Sequence, residues 1–304
     1  MQKNKYNQVN IDGVLLLDKP INITSNDALQ RVKRLYKARK AGHTGSLDPL
    51  ASGMLPICFG EATKFAQFLL DTDKKYQVTA QLGIKTTTGD AEGEILIQKN
   101  VPNFKEPQIE EVLARFRGPI EQIPSMYSAL KHNGQPLYKL ARAGISVIRE
   151  KRPVTIYSLE LINKTDTQLE MTVHCSKGTY VRTLVEDIGE ALGCEAHVIA
   201  LRRLTVGKYQ ENQMVTLATI EKLTEEENYN GLKELLLPME SMVAHWPLVQ
   251  VTEAIAYFMH QGNPVIIPQA PTQGWLRLQS KSGHFLGVGE VLPDGKVAPR
   301  RLIK

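Results

Sequence analysis

Residues 42–65 read GHTGSLDPLASGMLPICFGEATKF and hold the densest chemical signal in the chain. In the first half of this stretch, three glycines and one proline surround His43 and Asp48. Because glycine adopts backbone angles that other residues avoid, such a loop can present a carboxylate at a constrained, exposed position. The stretch lacks the Gly-Lys-Ser/Thr ending of a phosphate-binding loop, so nucleotide cofactor binding is not indicated. By residue type alone, Asp48 is more typical of a turn or helix cap, and His43 of a structural histidine.

The composition is that of an ordinary folded protein. The chain has 304 residues, 42% hydrophobic and 23% charged, which predicts about two domains. It contains no apolar run long enough to span a bilayer, and MQKNKYNQVN lacks the apolar middle of a signal peptide. The cysteines are three in number and far apart, which suits neither a disulfide framework nor a zinc site. These features predict a cytoplasmic protein with reduced thiols, no membrane association and no metal.

Charge is distributed unevenly along the chain. Residues 1–40 carry a net charge of +6, with six basic residues in the segment 31–40, whereas residues 211–240 carry −5. The last segment, 277–304, is again basic, with six Lys and Arg against two acids. A basic cluster of this kind predicts a polyanion-binding surface, because neutralising phosphates releases condensed counterions. The alternative is a solvated helix face, which is the commoner explanation for charge on a helix.

Hydrophobic periodicity predicts a mixture of strands and helices up to about residue 209. Residues 13–18 form an apolar run typical of a buried strand. A helix with an outward basic face is expected to follow, with Thr24, Ser25 and Asn26 as its candidate N-caps. The segment 41–53 is predicted as a loop, and 118–144 as a long loop with a short helix near 137–143. Further strands are expected at 76–82, 153–163, 168–175 and 197–209, and further helices through 65–69, at 107–117 and from Val181 to the stop signal at Gly193.

The remainder of the chain divides into two parts by pattern. Residues 211–244 are acidic and mostly helical in periodicity, and they are predicted to be a connector. Residues 245–304 contain short β-like runs, VIIP, WLRLQ, FLGVGEV and VAPRRLIK, separated by turn residues. We therefore predict a first domain at 1–244, which includes the connector, and a small β module at 245–304.

The stretch 42–65 resembles the catalytic motif of pseudouridine synthases, specifically that of the TruB family, the bacterial tRNA pseudouridine-55 synthases. Four further stretches between residues 13 and 209 resemble motifs of the same family, in the same order. They are GVLLLDKPINITSND, KKYQVTAQLGIKTTTGDAEG, CSKGTYVRTLVEDIGEALG and AHVIALRRLTVGKY. Several ordered matches are far more specific than any single pattern.

The resemblance implies a fold and a reaction. The family fold is of the α+β class, with a mixed, largely antiparallel sheet flanked by helices, followed by a small β-rich RNA-binding domain of the PUA type. The family reaction breaks the bond between ribose C1′ and uracil N1, rotates the base and rejoins it through C5. The resemblance therefore implies isomerisation of uridine 55 in the T-loop of tRNA.

The resemblance also assigns site residues. The catalytic aspartate is Asp48, a covalent nucleophile, and Arg182 would pair with it and favour its charged form. Tyr76 matches the active-site tyrosine, which would stack on uracil and assist removal of the C5 proton. Without the resemblance, Tyr76 would be a core tyrosine of an alternating strand. Whether Asp48 attacks the base or the sugar stays open.

Five further residues match positions that bind the substrate. Tyr180 and Leu201 match residues that contact the target nucleotide, although Leu201 on an apolar strand is otherwise typical of core. His43 matches the residue that fills the gap left when the target base is extruded from the tRNA loop. Lys19 and Pro20 match the motif packed under the catalytic loop, so Lys19 is structural as much as RNA-binding.

The basic segments would then hold tRNA phosphates without reading sequence. Neither a metal nor an organic cofactor is implied, because an isomerisation needs no redox partner. No obligate protein partner is implied, and we expect a monomer. Two alternatives remain: an RNA-binding module without activity, and a hydrolase with a carboxylate nucleophile. A retaining glycoside hydrolase would need a second carboxylate about 5 Å from the first, and no second acid stands out in the motifs.

Overall fold

The computed structural model describes residues 8–128 and 130–303. The predictions that rest on residues 1–7, namely the absence of a signal segment and part of the N-terminal basic charge, lie outside the described residues. In chain order, the elements are β1 (Gly13–Lys19), α1 (Ser25–Leu35), β2 (Ala41–His43), β3 (Ser52–Phe59), a 3-10 helix (Gly60–Phe65), α2 (Ala66–Leu70), β4 (Lys74–Leu82), β5 (Ile84–Thr86), β6 (Ile95–Gln98), α3 (Glu106–Ala114), β7 (Gly118–Gln122), β8 (Lys131–His132), β9 (Gln135–Pro136), α4 (Leu137–Arg142), β10 (Arg152–Lys164), β11 (Gln168–Cys175), α5 (Val181–Ala191), β12 (Ala196–Val206), a 3-10 helix (Glu211–Gln213), β13 (Val215–Thr216), α6 (Leu217–Glu225), α7 (Tyr229–Glu234), a 3-10 helix (Met239–Val243), β14 (Leu248–Val251), α8 (Glu253–His260), β15 (Gly274–Ser280), β16 (Phe285–Val291) and β17 (Val297–Leu302).

A mixed sheet forms the centre of the molecule. Within the described part of the chain it has nine strands, in the order β13-β1-β3-β12-β4-β11-β10-β7, with β2 paired to β3. Two of these pairings, β1 with β13 and β12 with β3, are parallel, and the other pairings are antiparallel. The predicted α+β class with a largely antiparallel sheet is therefore confirmed.

The main core lies between this sheet and the helices on one of its faces. Alternate residues of β4, including Val78, Ala80 and Leu82, are buried there against apolar side chains of α1, α3, α5 and α6. Strand β1 is buried on both faces, since Leu15 and Leu17 join this core while Val14 and Leu16 join a second one. A strand with two buried faces explains the continuous apolar run in the sequence.

Helix α1 begins where its sequence predicts. Thr24 is the N-cap, its side chain accepts a hydrogen bond from the Asp27 N–H, and the Asp27 carboxylate accepts one from the Thr24 N–H. This capping box satisfies two of the backbone donors that a helix start leaves unpaired. The buried residues Ala28, Leu29 and Val32 lie on one face, which leaves the basic residues of the helix toward solvent.

Two predicted loops contain strands. The segment 41–53 begins with β2, and the predicted loop 118–144 begins with β7, which pairs with β10 at the edge of the sheet. Gly118 and Pro119 make β7 hard to predict, because a proline cannot donate a backbone hydrogen bond to a neighbouring strand and is tolerated only in an edge strand. The short helix expected within the second loop is confirmed as α4.

The acidic connector, residues 211–244, packs against the central sheet. It is largely helical, as predicted, but β13 within it pairs with β1, and Leu217, Ile220 and Leu232 are buried in the main core. Its charge meets the basic helix, since Glu221 forms an ion pair with Arg31 at 2.5 Å. The connector is thus part of the same core as the central sheet.

The C-terminal segment forms its own four-stranded sheet, in the order β14-β15-β16-β17. Three predicted strands are present, but VIIP forms only an isolated bridge, between Val265 and Val297. The segment also contains α8, which the sequence analysis missed, capped by Thr252. An aromatic cluster joins this sheet to the rest of the molecule, in which Trp275 stacks on Trp246 and Phe285 contacts Phe65.

Candidate active site

The loop between β2 and β3 carries Asp48, and it is fixed at several points. Ser25, at the start of α1, clamps Leu47 by accepting from its N–H at 2.7 Å and donating to its carbonyl at 3.0 Å. The Thr44 N–H donates to the Pro56 carbonyl, which ties the start of the loop to β3. These bonds hold the backbone rigid, while the Asp48 side chain stays 38% exposed at a cavity.

Arg182 is the partner of Asp48, as the sequence analysis predicted, and it is almost completely buried. Its Nε lies 3.0 Å from the Asp48 carboxylate, and its Nη1 lies 3.1 Å from the carboxylate of Asp90. Nη1 and Nη2 also donate to the carbonyls of Thr88 and Tyr127. One guanidinium therefore joins α5, the turn after β5 and the loop after β7, and fixes the orientation of Asp48.

The charge state of Asp48 reflects two opposing influences. Burial raises the pKa of the Asp48 carboxyl, and the Arg182 guanidinium opposes this rise. The nearby negative charge of Asp90 adds to the rise, and Lys19 lowers the pKa. The arrangement gives a partly desolvated carboxylate with one strong cationic partner, which is the environment of a nucleophile.

The cavity next to Asp48 has a volume of about 530 Å³, within the range of small-ligand sites. It brings together six of the predicted site residues, namely His43, Asp48, Tyr76, Tyr180, Arg182 and Leu201. These residues come from sequence positions up to 158 apart, so the fold assembles the site from separate motifs.

The two tyrosines are held by strands of the central sheet. Tyr76 lies on β4, where burial raises the pKa of its hydroxyl and the charge of Arg203 opposes that rise. Tyr180 precedes α5, and Gln122 of β7 binds both its N–H and its carbonyl. The edge strand that the sequence analysis missed therefore positions a predicted site residue.

His43 is the last residue of β2, where the loop that carries Asp48 begins. Burial lowers the pKa of its imidazole, and the charge of Arg203 lowers it further. Its Nδ1 is buried and has no hydrogen-bond partner among the described residues. An uncharged aromatic ring of this kind is suited to stacking on a nucleobase.

Lys19 and Pro20 do not line the cavity. The Lys19 side chain is fully buried, and its Nζ donates to the carbonyls of Pro20 and Ile23 at 2.8 Å each. Burial lowers the pKa of Lys19 to about 8, although Asp48 opposes this shift. Of the two roles left open for Lys19, this placement favours the structural one. Pro20 is exposed at the end of β1.

The structure adds two residues that the sequence analysis missed, Asp90 and Arg203. Asp90 follows a run of threonines in a turn, where an aspartate is usually an ordinary turn residue. Arg203 had a usable signal, because alternation along β12 places Leu201 and Arg203 on the same buried face. A charged residue at an inward strand position is rare and indicates a specific partner.

No group of His, Cys, Asp or Glu side chains in residues 8–128 and 130–303 is arranged to hold a metal ion. None of the described helices is both long enough and apolar enough to cross a membrane.

Three family models match consecutive parts of the chain. Residues 33–181 match the TruB family pseudouridylate synthase N-terminal domain, and residues 182–244 match the tRNA pseudouridylate synthase B C-terminal domain. Residues 247–303 match the C-terminal model of pseudouridine synthase II TruB.

Curated relatives match over nearly their whole length. A protein of Coxiella burnetii named tRNA pseudouridine synthase B is 57% identical over 97% of this chain and 95% of its own. Proteins of the same name from Pseudomonas aeruginosa and Nitrosococcus oceani are 55% and 53% identical, over 97% and 99% of this chain and 96% and 98% of their own.

Among solved structures, a chain of a Cbf5-Nop10-Gar1 complex aligns with a TM-score of 0.73 at 25% identity. The alignment covers 96% of this chain and 84% of that one. A chain of the archaeal box H/ACA sRNP Nop10-Cbf5 complex aligns with a TM-score of 0.72 over 95% of this chain and 85% of its own. At 24% identity the second alignment supports the fold alone.

Proposed function

This chain belongs to the TruB family of pseudouridine synthases, and on that premise we propose that it isomerises uridine 55 in the T-loop of tRNA to pseudouridine. The observation that carries the proposal is the ion pair of Asp48 with buried Arg182 at a cavity that also presents Tyr76, Tyr180 and His43. The relatives of over 50% identity that are named tRNA pseudouridine synthase B support the same substrate and reaction.

Asp48 acts as the covalent nucleophile. Its carboxylate forms a bond either to the uracil ring or to ribose C1′ while the bond between C1′ and N1 breaks. Arg182 keeps the carboxylate ionised and aimed, since a positive charge in direct contact favours the anionic form. When the new bond from C5 to C1′ forms, Asp48 is released unchanged, so the reaction consumes no co-reactant.

The target base must enter the cavity to reach Asp48. A uridine stacked inside a folded tRNA loop cannot contact a carboxylate at the wall of this cavity, so the base is extruded at a cost of a few kcal/mol. The neutral ring of His43 takes the place of the base in the loop. Tyr180 and Leu201, which line the cavity, contact the extruded uracil.

Tyr76 completes the isomerisation at C5. After C5 has bonded to C1′, the C5–H bond breaks and its electron pair restores the double bond between C5 and C6. The proton passes to the Tyr76 oxygen in its phenolate form, and N1, now free of the sugar, takes up a proton. The partly buried ring of Tyr76 also provides a stacking surface for uracil.

Surface charge supplies the affinity for tRNA. On α1 and the residues after it, Arg34, Arg39 and Lys40 are exposed and can bind phosphates, whereas Arg31 is engaged with Glu221. The segment 245–304 adds a second RNA-binding surface as a PUA-like domain, with the boundary after residue 244. The enzyme acts as a monomer in the cytoplasm without an obligate protein partner.

The test uses an unmodified tRNA transcript as substrate and nucleoside analysis of the product. Wild type is expected to give pseudouridine at the single T-loop position, and Asp48→Asn is expected to give none while still binding the tRNA. Asp166→Asn, in an exposed turn, is the matched control and keeps full activity. Release of free uracil would replace the proposal with a hydrolase, and binding without any product would replace it with an RNA-binding protein.

A further inference from the structure

Arg203 occupies the point at which three strands of the site meet. On β12 it is paired with Gly53 of β3 on one side and with Tyr76 of β4 on the other. Its side chain is 1% exposed and reaches the cavity that contains Asp48. Arg203 is therefore adjacent to β3, which follows the Asp48 loop, and to Tyr76 on β4.

Two hydrogen bonds attach Arg203 to both ends of the catalytic loop. Nε donates to the Met54 carbonyl at 2.7 Å, and Nη2 donates to the Gly45 carbonyl at 2.9 Å. The approach is close at two glycines: a Cβ at Gly45 would lie 3.3 Å from Nη1, and a Cβ at Gly53 would overlap the backbone carbonyl oxygen of Arg203. The loop and the guanidinium are thus packed as one unit.

The charge of Arg203 has no carboxylate partner in the part of the chain that the structure describes. Arg182 and Arg202, by contrast, each form two ion pairs with carboxylates. A buried cation without a counterion is costly, so its position requires another compensation. The nearest group able to become negative on the neighbouring strand is the hydroxyl of Tyr76.

Resting on the function proposed above, we infer that Arg203 is the positioning residue for Tyr76. It fixes the Tyr76 oxygen relative to the Asp48 loop, and its positive charge stabilises the phenolate that receives the C5 proton. In that step the C5–H bond breaks, its electron pair enters the uracil ring and the proton forms the O–H bond of Tyr76. The Tyr76 hydroxyl releases its proton to solvent before this step, so the phenolate compensates the charge of Arg203 until the C5 proton restores the hydroxyl. The cation is therefore compensated during the reaction rather than at rest.

The charged and titratable groups around Tyr76 are consistent with this assignment. Burial raises the pKa of Tyr76, Arg203 lowers it through its charge and a hydrogen bond, and Cys175 and Asp48 raise it. The cavity also contains further titratable groups, and these are His43, Lys74, Tyr127, Tyr180 and Arg182. Among the groups that act on Tyr76, Arg203 is the one that favours the phenolate.

The test is a double-mutant cycle of Arg203→Gln and Tyr76→Phe, measured in single-turnover reactions with saturating enzyme. Arg203→Gln is expected to slow turnover about 100-fold, as loss of a preorganised charge at a reacting oxygen does. In the Tyr76→Phe background the same substitution should cost less than about threefold, since the two residues act together. A uridine deuterated at C5 should show a larger isotope effect with Arg203→Gln than with wild type.

Arg203→Lys separates charge from geometry. It keeps the positive charge, so the rise of activity with pH should stay near its wild-type position, whereas Arg203→Gln should shift it to higher pH. Arg202→Gln, at the next residue of β12 but on the opposite face, is the control and should leave the isotope effect unchanged. If Arg203→Gln fails to fold, the cycle is carried out with Arg203→Met, which also removes the positive charge, and is read in the same way.

The inference is overturned if the losses caused by Arg203→Gln and by Tyr76→Phe multiply in the double variant, or if the C5 isotope effect of Arg203→Gln equals that of wild type. Both results presuppose a wild type that releases the C5 proton from tRNA. A wild type without that activity would instead refute the proposed function itself.

Discussion

Replacing Asp90 by asparagine removes one of the two negative charges that hold Arg182, and it tests how Asp48 is positioned. Asp90 accepts a charge-assisted hydrogen bond from Arg182 at 3.1 Å, between side chains that are 3% and 6% exposed. Such bonds contribute about 1.5–3 kcal/mol, roughly twice the value for neutral partners. The amide oxygen retains about half, so about 1 kcal/mol is lost and turnover should fall about five- to tenfold.

Asp90→Ala should have a larger effect than Asp90→Asn. It also leaves the Thr88 hydroxyl and the Glu92 N–H without their acceptor on Asp90. The added cost of these partly buried, unpaired groups raises the loss to about 2 kcal/mol, or about 30-fold in rate. The ranking of alanine below asparagine distinguishes positioning from a simple effect of charge.

The pH dependence provides a second readout for Asp90→Asn. Activity requires ionised Asp48, so it falls as the pH drops through the pKa of Asp48. Asp90 raises that pKa, hence removing its charge should move the acid limb of the single-turnover profile to lower pH. An unchanged rate, a loss confined to tRNA affinity, or an acid limb shifted to higher pH would each refute this account of Asp48.

Three more predictions follow from separate features of the fold. Burial raises the pKa of Glu186 to about 7 and that of the neighbouring Asp187 to about 6. Each carboxyl then holds its proton above its unfolded pKa, so stability declines as the pH rises toward about 7. Glu186→Gln should make that decline smaller in melting curves measured from pH 5 to pH 8, and the part that Asp187 contributes should remain. Ser25→Ala leaves the buried backbone of Leu47 without its hydrogen-bond partner and should lower stability by about 1–3 kcal/mol. It should also lower turnover more than the control Thr216→Ala, which removes an N-cap remote from the site. Equal losses of turnover in the two variants would refute the role of Ser25 in holding the Asp48 loop. His43→Phe should keep more activity than His43→Ala at equal tRNA affinity, because the stacking ring is retained, and single-turnover rates decide between a ring and a proton carrier.

The sequence predicted the elements whose patterns are strong and local. Alternation in 76–82, the capping signals at Thr24 and the glycine stop after α5 each depend on nearby residues, and each element is present. The edge strand β7 was not predicted because Gly118 and Pro119 are typical of a loop. An edge strand tolerates such residues because it pairs with only one neighbouring strand. Helix α8 was not predicted because the β-like runs around it led to an all-β interpretation of the C-terminal segment.

The site was predicted through residues with distinctive motifs and missed where the chemistry depends on tertiary packing. Asp48 and Arg182 lie in recognisable stretches, and the ion pair between them was expected. Asp90 has the appearance of a turn residue until α5 brings Arg182 against it. Arg203 stands at an inward position of β12, which indicates a specific partner, but its contacts are set by the convergence of three strands. Such roles arise from contacts between distant segments, which local patterns do not encode.

The most direct test of the central claim is release of tritium from a folded tRNA transcript labelled at uridine C5, comparing wild type with Asp48→Ala at matched protein concentration. Wild type should release tritium from the single T-loop uridine, and Asp48→Ala should release none while its melting curve and tRNA affinity remain close to those of wild type. Tritium release by Asp48→Ala at the wild-type rate, or none by wild type from correctly folded tRNA, would contradict the assignment of Asp48 as the nucleophile of a tRNA pseudouridine synthase.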